Sequence, residues 1–199
     1  NAESVEQDFR YVINIKNLDR LCIFTDNGKL HRIKVLDIPI TKYKEKGIPL
    51  ENITNCSSDE EVVYVDSFEN VAASTLLFAN NNGMVKRIEG ASLEAAKKTI
   101  DSTKLAEDAK VITVSKVEEN DDVVMGTKHG VYIRYRADEI NLLKKTAAGV
   151  KGMKLKDDDE VVVCKVGPTK SEFTYDDQVI PFTRIKLAKR GATGTKIRF

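Results

Sequence analysis

The sequence contains no tryptophan, only 4 prolines and no long apolar run. The scarcity of aromatic residues, 7% of the chain, argues against a stacking platform for single-stranded nucleic acid. No stretch approaches the roughly 18 apolar residues of a membrane span, and no basic, apolar and small-residue leader opens the chain. We therefore expect a soluble cytoplasmic protein without a membrane partner.

Cysteine and histidine are also scarce. The three cysteines, Cys22, Cys56 and Cys164, are odd in number and widely spaced, so we expect buried, reduced thiols. The two histidines, His31 and His129, have no metal-type partner at close spacing, and there is no Cys-x-x-Cys or phosphate-loop motif. The sequence therefore predicts no catalytic residues, no metal site and no cofactor.

The net charge is only +1, from 32 basic and 31 acidic residues. A typical nucleic-acid-binding domain has a clear basic excess, so a DNA site must here arise from local arrangement. Residues 29–46 and residues 170–199 each carry a local balance of +4, whereas residues 118–122 and 157–160 are acidic. If the acidic turns point away from the basic segments, one edge of the molecule becomes cationic.

The chain repeats a pattern of an apolar run, a polar turn ending in glycine, and a second apolar strand. Three copies, at residues 21–33, 76–88 and 123–135, place an arginine four positions after the glycine. A fourth copy at 173–185 has Gln178 in place of the glycine, so its turn must differ. Asn-Gly between apolar runs predicts a hairpin with a type I′ turn, in which both central residues have positive φ.

A second element follows three of the hairpins, at residues 46–50, 151–155 and 193–197, and a further strand comes after an acidic turn. These strands are expected at 61–65, 110–114 and 160–164, with residues 9–13 as the tail of a preceding unit. About four strands in about 50 residues are typical of a propeller-like array. The expected units are about 14–66, 67–117, 118–166 and 167–199, with 1–13 from a neighbouring blade.

The second copy is irregular, because residues 90–98 are rich in helix formers and lack the second element, which in the other copies is a motif of the Gly-x-x-Leu type. We expect one short helix near 92–99 with Ser92 as its N-cap. The chain begins at Asn1 without a methionine and ends inside a repeat motif, so we expect a fragment of a longer protein.

The segments at 28–39, 46–53 and 147–155 resemble blade segments of the C-terminal domain of the A subunit of bacterial type IIA topoisomerases, and the resemblance covers nearly the whole chain. It implies an all-β β-pinwheel of about four four-stranded blades that performs no chemistry and binds and bends duplex DNA along a basic rim. The parent protein would be an ATP-dependent topoisomerase. The implied partners are duplex DNA and the rest of the A subunit, through which the domain would work with the ATPase subunit.

The gyrase branch of this family carries a Gln-Arg-Arg-Gly-Gly-Lys-Gly type box, which does not occur here. The nearest match is residues 189–194, while residues 42–47 look more like the degenerate version of topoisomerase IV. Either the box lies outside this chain or the parent is topoisomerase IV, and the sequence leaves both open.

The candidate DNA-binding residues are basic positions of the hairpins and of the two basic segments. For the hairpin arginines, phosphate contact competes with a structural role, in which their stems cover apolar surface and their heads pair with acidic turns. For residues 189–194 phosphate binding is favoured, because glycines let N–H groups approach an anion, and Lys97 and Lys98 are expected to matter less. The candidates are Lys29, Arg32, Lys34, Lys42, Lys44, Lys46, Lys86, Arg87, Arg134, Lys151, Lys189, Arg190, Lys196 and Arg198.

The near-zero net charge also fits a second function, a propeller-type scaffold for protein partners that does not bind DNA. Both functions use the same fold. Salt-sensitive binding to duplex DNA would separate them, because phosphate neutralisation makes affinity fall steeply with salt.

Overall fold

A computed structural model describes residues 9–198 and is built mainly from antiparallel β-sheet. It contains one short α-helix, α1 (Phe68–Ala72), and five 3-10 turns, Val35–Asp37, Leu50–Asn52, Gly90–Leu93, Ala137–Glu139 and Phe182–Arg184. No helix among residues 9–198 is long and apolar enough to cross a membrane. The strands are β1 (Arg20–Thr25), β2 (Lys29–Lys34), β3 (Val62–Ser67), β4 (Thr75–Asn80), β5 (Met84–Glu89), β6 (Thr99–Asp101), β7 (Val111–Lys116), β8 (Asp122–Thr127), β9 (Val131–Arg136), β10 (Val150–Lys151), β11 (Val161–Gly167), β12 (Glu172–Tyr175), β13 (Gln178–Pro181) and β14 (Thr195–Lys196).

The strands form four separate sheets, which confirms the all-β, propeller-like fold. Three sheets have four strands, in the orders β3-β1-β2-β6, β10-β5-β4-β7 and β11-β8-β9-β14, and the fourth is the hairpin β12-β13. We call them blades 1 to 4, each named for its central hairpin. The chain leaves each of the last three hairpins and adds a strand to the preceding blade: β6 pairs with β2, β10 with β5 and β14 with β9.

The blades have an inner and an outer edge. Strands β3 and β11 both pack against β7, so these three strands form the inner edges. The exchanged strands β6, β10 and β14 lie at the opposite, outer edges of their sheets. The segments that lead into the exchanged strands therefore run along the outer rim.

The apolar core lies between blades. On β4, Leu76 and Phe78 pack towards blade 1, where Phe78 meets Phe24 with ring centroids 6.0 Å apart. The alternate residues Leu77 and Ala79 pack into a second cluster with blade 3. Because side chains alternate across a strand, β4 and β8 each contribute to two interfaces, and burying a side chain of this size stabilises the fold by about 1.5–3 kcal/mol.

The hairpins form where the repeat predicts them, but the turn type was wrong for the first three. Within each of these three turns, φ is positive only at the glycine, which is Gly28, Gly83 or Gly130. This is the pattern of a three-residue loop whose last residue is left-handed. The fourth hairpin contains the two-residue turn with positive φ at both positions, at Asp176 and Asp177. The expectation that this turn would differ is confirmed.

The helix expected near 92–99 is instead the 3-10 turn Gly90–Leu93, followed by extended chain. Ser92 does not act as an N-cap, since its hydroxyl donates to the Glu89 carbonyl at 2.6 Å. The Lys98 carbonyl accepts from the Arg32 N–H at 2.7 Å, so contacts with blade 1 override the local helix propensity. The α-helix lies earlier in the chain, at α1, where the Ser67 hydroxyl accepts from Asn70 N–H.

Two further expectations need correction. Residues 9–13 form no strand in the described part of the chain. The element at 193–197 was also aligned three positions out of register: Gly194 corresponds to Gly149, because both have positive φ and both directly precede an exchanged strand. Blade 2 does have this element, with Ser102 donating its N–H to Gly28 O as Gly152 does to Gly83 O.

Candidate nucleic-acid interface

The candidate surface consists of four equivalent segments on the outer rim, which we call the crossover loops. Each blade has an apolar residue at the end of its 3-10 turn or directly after it, namely Ile38, Leu93, Ile140 and Ile185. Each crossover loop begins two residues after this apolar residue. The second to fourth loops then lead into β6, β10 and β14. The crossover loops are residues 40–47, 95–98, 142–149 and 187–194.

Every crossover loop carries at least two cations close together. The first loop has Lys42, Lys44 and Lys46, all exposed. In the later loops Lys97, Lys98, Lys144 and Lys189 are exposed, whereas Lys145 and Arg190 are half-buried. The two segments compared with the family's box, 42–47 and 189–194, thus occupy equivalent places in two blades.

Arg32, a predicted DNA contact, is buried beneath the second crossover loop. Its side chain is 2% exposed, and its guanidinium donates to the carbonyls of Ala95, at 2.6 Å, and Lys97. Burial lowers the pKa of this guanidinium. Arg32 therefore fixes the backbone of a basic loop, and its position is at odds with the expected phosphate contact.

Arg87 and Arg134, at the same repeat position, make an equivalent backbone contact. Arg87 Nε donates to Ile140 O and Arg134 Nε to Ile185 O, each at 2.7 Å. Arg134 also pairs at 2.8 Å with Asp122, which is fully buried at the end of the acidic segment 118–122. These contacts favour the structural interpretation of the hairpin arginines, since each guanidinium anchors the start of the next crossover loop.

Lys86 is the second buried cation among the predicted contacts. It is 1% exposed, and its Nζ donates to the carbonyls of Lys145 at 2.8 Å and Ala147 at 2.9 Å. Burial lowers the pKa of Lys86 to about 8. Lys86 therefore lies under the third crossover loop and shapes it, as Arg32 does for the second.

In residues 189–194, several of the groups that were expected to bind an anion already donate hydrogen bonds to protein carbonyls. The Arg190 guanidinium donates to Glu139 O at 2.7 Å and Lys151 O at 2.6 Å. The N–H groups of Gly191 and Ala192 donate to Gly152 O and Lys189 O. Exposed Lys189 remains as the outward cation of this loop.

The other predicted cations lie on the surface. Lys29 forms an ion pair with Asp101 at 2.5 Å, which neutralises part of its charge. Exposed side chains at or beside the outer edge are Lys34, Lys151, Lys196 and Arg198. With the crossover loops, they place most of the exposed predicted cations at or beside the outer rim.

Sequence reasoning underrated four cations that the fold brings to this rim. Lys97 and Lys98 were treated as less important, yet they occupy the same loop position as Lys189 and Arg190, and so do Lys144 and Lys145, which were not among the candidates. Comparing the fourth and fifth positions after Ile38, Leu93, Ile140 and Ile185 would have found them. Glu94, directly before the second loop, forms a two-bond ion pair with Arg20 of β1 at 2.7 and 2.6 Å.

The chain matches the family model described as DNA gyrase C-terminal domain, beta-propeller, over residues 19–68, 74–118 and 121–166. It is 28% identical over 211 residues to the A subunit of DNA gyrase from Staphylococcus epidermidis, covering 97% of this chain and 23% of that protein. It is 32% identical over 164 residues to the A subunit of DNA gyrase from Lawsonia intracellularis, covering 81% and 20%. The chain thus spans about a quarter or less of these relatives.

Solved structures show the same architecture. The C-terminal domain of DNA topoisomerase IV is 26% identical with a TM-score of 0.85, covering 98% of this chain and 66% of that one. The E. coli ParC C-terminal domain is 17% identical with a TM-score of 0.78, covering 96% and 81%. At 17% identity, the second likeness concerns the fold alone.

Proposed function

Because this chain belongs to the DNA gyrase C-terminal domain family, we propose that it is the non-catalytic DNA-binding domain of a type II topoisomerase A subunit. It binds and bends duplex DNA along its outer rim, while the parent enzyme performs the ATP-dependent change of topology. Its partners, in the cytoplasm, are duplex DNA and the rest of the A subunit, through which it works with the ATPase subunit. Gyrase and topoisomerase IV both remain open as the parent.

The observation that carries this proposal is the recurrence of exposed cations at one place in every blade. A duplex that follows the rim meets one cationic loop per blade, and a protein that neutralises phosphates gains free energy from counterion release. Such contacts hold the duplex without reading its sequence. The buried cations Arg32 and Lys86 support the proposal indirectly, because they fix the backbone from which the exposed lysines project.

The proposed contact set consists of the exposed predicted and newly found cations of the rim, together with half-buried Lys145. It leaves out Arg32 and Lys86, and it assigns Arg87, Arg134 and Arg190 to anchoring the loops. The expected blade limits, 14–66, 67–117, 118–166 and 167–199, remain part of the proposal. The proposed phosphate contacts are Lys34, Lys42, Lys44, Lys46, Lys97, Lys98, Lys144, Lys145, Lys151, Lys189, Lys196 and Arg198, with Lys29 partly neutralised.

Charge reversal on one crossover loop tests the proposal. The double variant Lys144→Glu and Lys145→Glu should weaken binding to a duplex of 40 or so base pairs by about tenfold or more at low salt, measured by fluorescence anisotropy. The matched control is Lys165→Glu with Lys170→Glu, the same charge change on the inner strand β11 and on the turn after it, where both side chains are exposed.

The control should retain most of the affinity. Equal losses in the two double variants would mean that only the net charge matters and that the rim is not a special surface. A wild-type domain without measurable duplex binding would instead favour the alternative function, a scaffold for protein partners.

A further inference from the structure

Blade 1 contains a cluster of three potential metal ligands that the DNA-binding surface does not use. His31 lies on β2, while Cys56 and Glu60 lie in the long segment between the first crossover loop and β3. One ligand atom from each residue, the imidazole nitrogen, the Sγ and a carboxylate oxygen, lies within 4.8 Å of the other two. All three side chains are almost completely enclosed, with His31 2% and both Cys56 and Glu60 6% exposed.

At the positions of His31 and Glu60, blade 1 differs from blades 2 and 3. The position of His31 is held by Lys86 in blade 2 and Ile133 in blade 3, each three residues after the turn glycine. Glu60 directly precedes Glu61, whose carbonyl accepts from an N–H of the hairpin turn. The equivalent position is held by Ala109 in blade 2 and Asp159 in blade 3. The other described blades therefore do not assemble this donor set.

The segment that carries Cys56 is also the longest of its kind. From Ile38 to Glu61 the chain advances 23 positions, against 20 from Ile140 to Glu160. Within this longer segment, the Cys56 thiol lies beside the β2 imidazole. In an array of otherwise similar units, local departures that converge on one point are expected at functional sites.

From this geometry we propose that His31, Cys56 and Glu60 bind a divalent transition metal of the zinc type. Imidazole, thiolate and carboxylate are the three side-chain ligands of protein zinc, at about 2.0–2.3 Å. A cleft of about 210 Å³ borders His31 and is lined by Asn52, Thr54 and Thr99, and a water would complete a four-coordinate site. Zinc binding releases the thiol proton, and the charges of thiolate, carboxylate and Zn²⁺ then cancel inside the blade.

The surroundings of His31 match those of a metal-bound imidazole. His31 Nδ1 lies 2.9 Å from Thr99 Oγ1, so an N–H at Nδ1 can donate to that hydroxyl and leave Nε2 for the metal. Without a metal, Nε2 lies 2.7 Å from Glu60 Oε1, and the metal would replace this hydrogen bond. Thr99 begins β6, so the metal would fasten the Cys56 segment, the β1-β2 hairpin and the start of the exchanged strand together.

The competing explanation is a purely hydrogen-bonded cluster. Glu60 also accepts from the Thr25 hydroxyl at 2.7 Å and from the Ser57 N–H at 2.6 Å, so its oxygens have partners without any metal. The two explanations differ in the role of Cys56. The thiol makes a weak contact with Ser57 O at 3.7 Å and a hydrogen bond with Glu60, and in a hydrogen-bonded cluster a serine hydroxyl can replace it in both.

Metal titration separates these explanations. The whole chain, purified without a histidine tag and stripped with a chelator, is titrated with Zn²⁺ against a chromophoric chelator, and we expect one equivalent to bind. With Co²⁺, we expect a thiolate-to-cobalt charge-transfer band in the near ultraviolet. Cys56→Ser should abolish this band and weaken Zn²⁺ binding more than Thr99→Val, which should cost about 10- to 100-fold.

Cys164→Ser is the matched control, since Cys164 is another buried thiol, 3% exposed and without a nearby ligand set among residues 9–198. It should leave the zinc affinity and the cobalt spectrum unchanged. Absence of Zn²⁺ binding by the wild-type chain, or full retention of binding and of the cobalt band in folded Cys56→Ser, would overturn the proposal. Because the thiol must lose its proton, the zinc affinity should also rise about tenfold per pH unit near neutrality.

Discussion

The buried ammonium group of Lys86 should make stability depend on pH in a way that one substitution removes. Its pKa is about 8 in the folded protein, because burial disfavours the charged form, against 10.5 for the ordinary side chain. Between these values the unfolded chain binds more protons than the folded one, so the free energy of unfolding rises with pH. The gain from this group between pH 7 and pH 10 is about 2.5 kcal/mol.

Lys86→Met keeps an unbranched side chain of similar length but has no proton to lose. Urea unfolding followed by circular dichroism, which suits a protein without tryptophan, gives the free energy of unfolding at each pH. From pH 7 to pH 10, the free energy of unfolding of the wild type should rise by about 2.5 kcal/mol more than that of Lys86→Met. Lys165→Met, an exposed control, should run parallel to wild type, and a parallel Lys86→Met curve would refute the reasoning.

Three further predictions concern buried groups. Burial alone would raise the pKa of Glu60, but hydrogen bonds from His31, Ser57 and Thr25 outweigh it and hold this pKa at about 2, so the group's stabilisation is lost as the pH falls from about 5 to 2. Acid unfolding in the presence of a chelator should show roughly 2–3 kcal/mol less loss in Glu60→Gln than in wild type. Gly90→Ala places a Cβ 1.8 Å from Val71 O and should cost about 2–3 kcal/mol in urea unfolding, whereas Gly47→Ala, with nothing within 4 Å, should stay within about 0.5 kcal/mol. Asp122→Asn removes the partner of two arginines at 2.8 Å and should lower the free energy of unfolding by about 3–5 kcal/mol; a loss below about 1 kcal/mol would mean that these bridges contribute little.

The hairpins and the sheet class could be predicted from the sequence because they depend on local signals. A polar turn that ends in Gly28, Gly83 or Gly130 between apolar runs specifies a reversal of the chain within a few residues. The turn type could not be predicted as reliably, since the same residues are compatible with a loop of two residues and with a loop of three. Only the structure shows positive φ at the glycine alone.

The exchanged strands and the roles of the cations depend on contacts between blades, which no local pattern encodes. Residues 95–98 have helical propensity, yet Arg32 binds their carbonyls from a strand more than 60 positions earlier. In the sequence, Lys86 cannot be distinguished from a surface lysine. Its charge is buried only because residues 145–147 lie over it in the folded protein. The cluster of His31, Cys56 and Glu60 was missed for the same reason, because His31 lies 25 positions before Cys56 in sequence but close to it in space.

The salt dependence of duplex binding tests the central claim most directly. If each of the four crossover loops neutralises at least one phosphate, the logarithm of the association constant should fall with the logarithm of salt concentration with a slope of about −3.6 or steeper. Anisotropy titrations of one labelled duplex between about 50 and 200 mM salt would measure this slope. A slope near zero, or no binding at the lowest salt, would contradict the proposed DNA-binding rim.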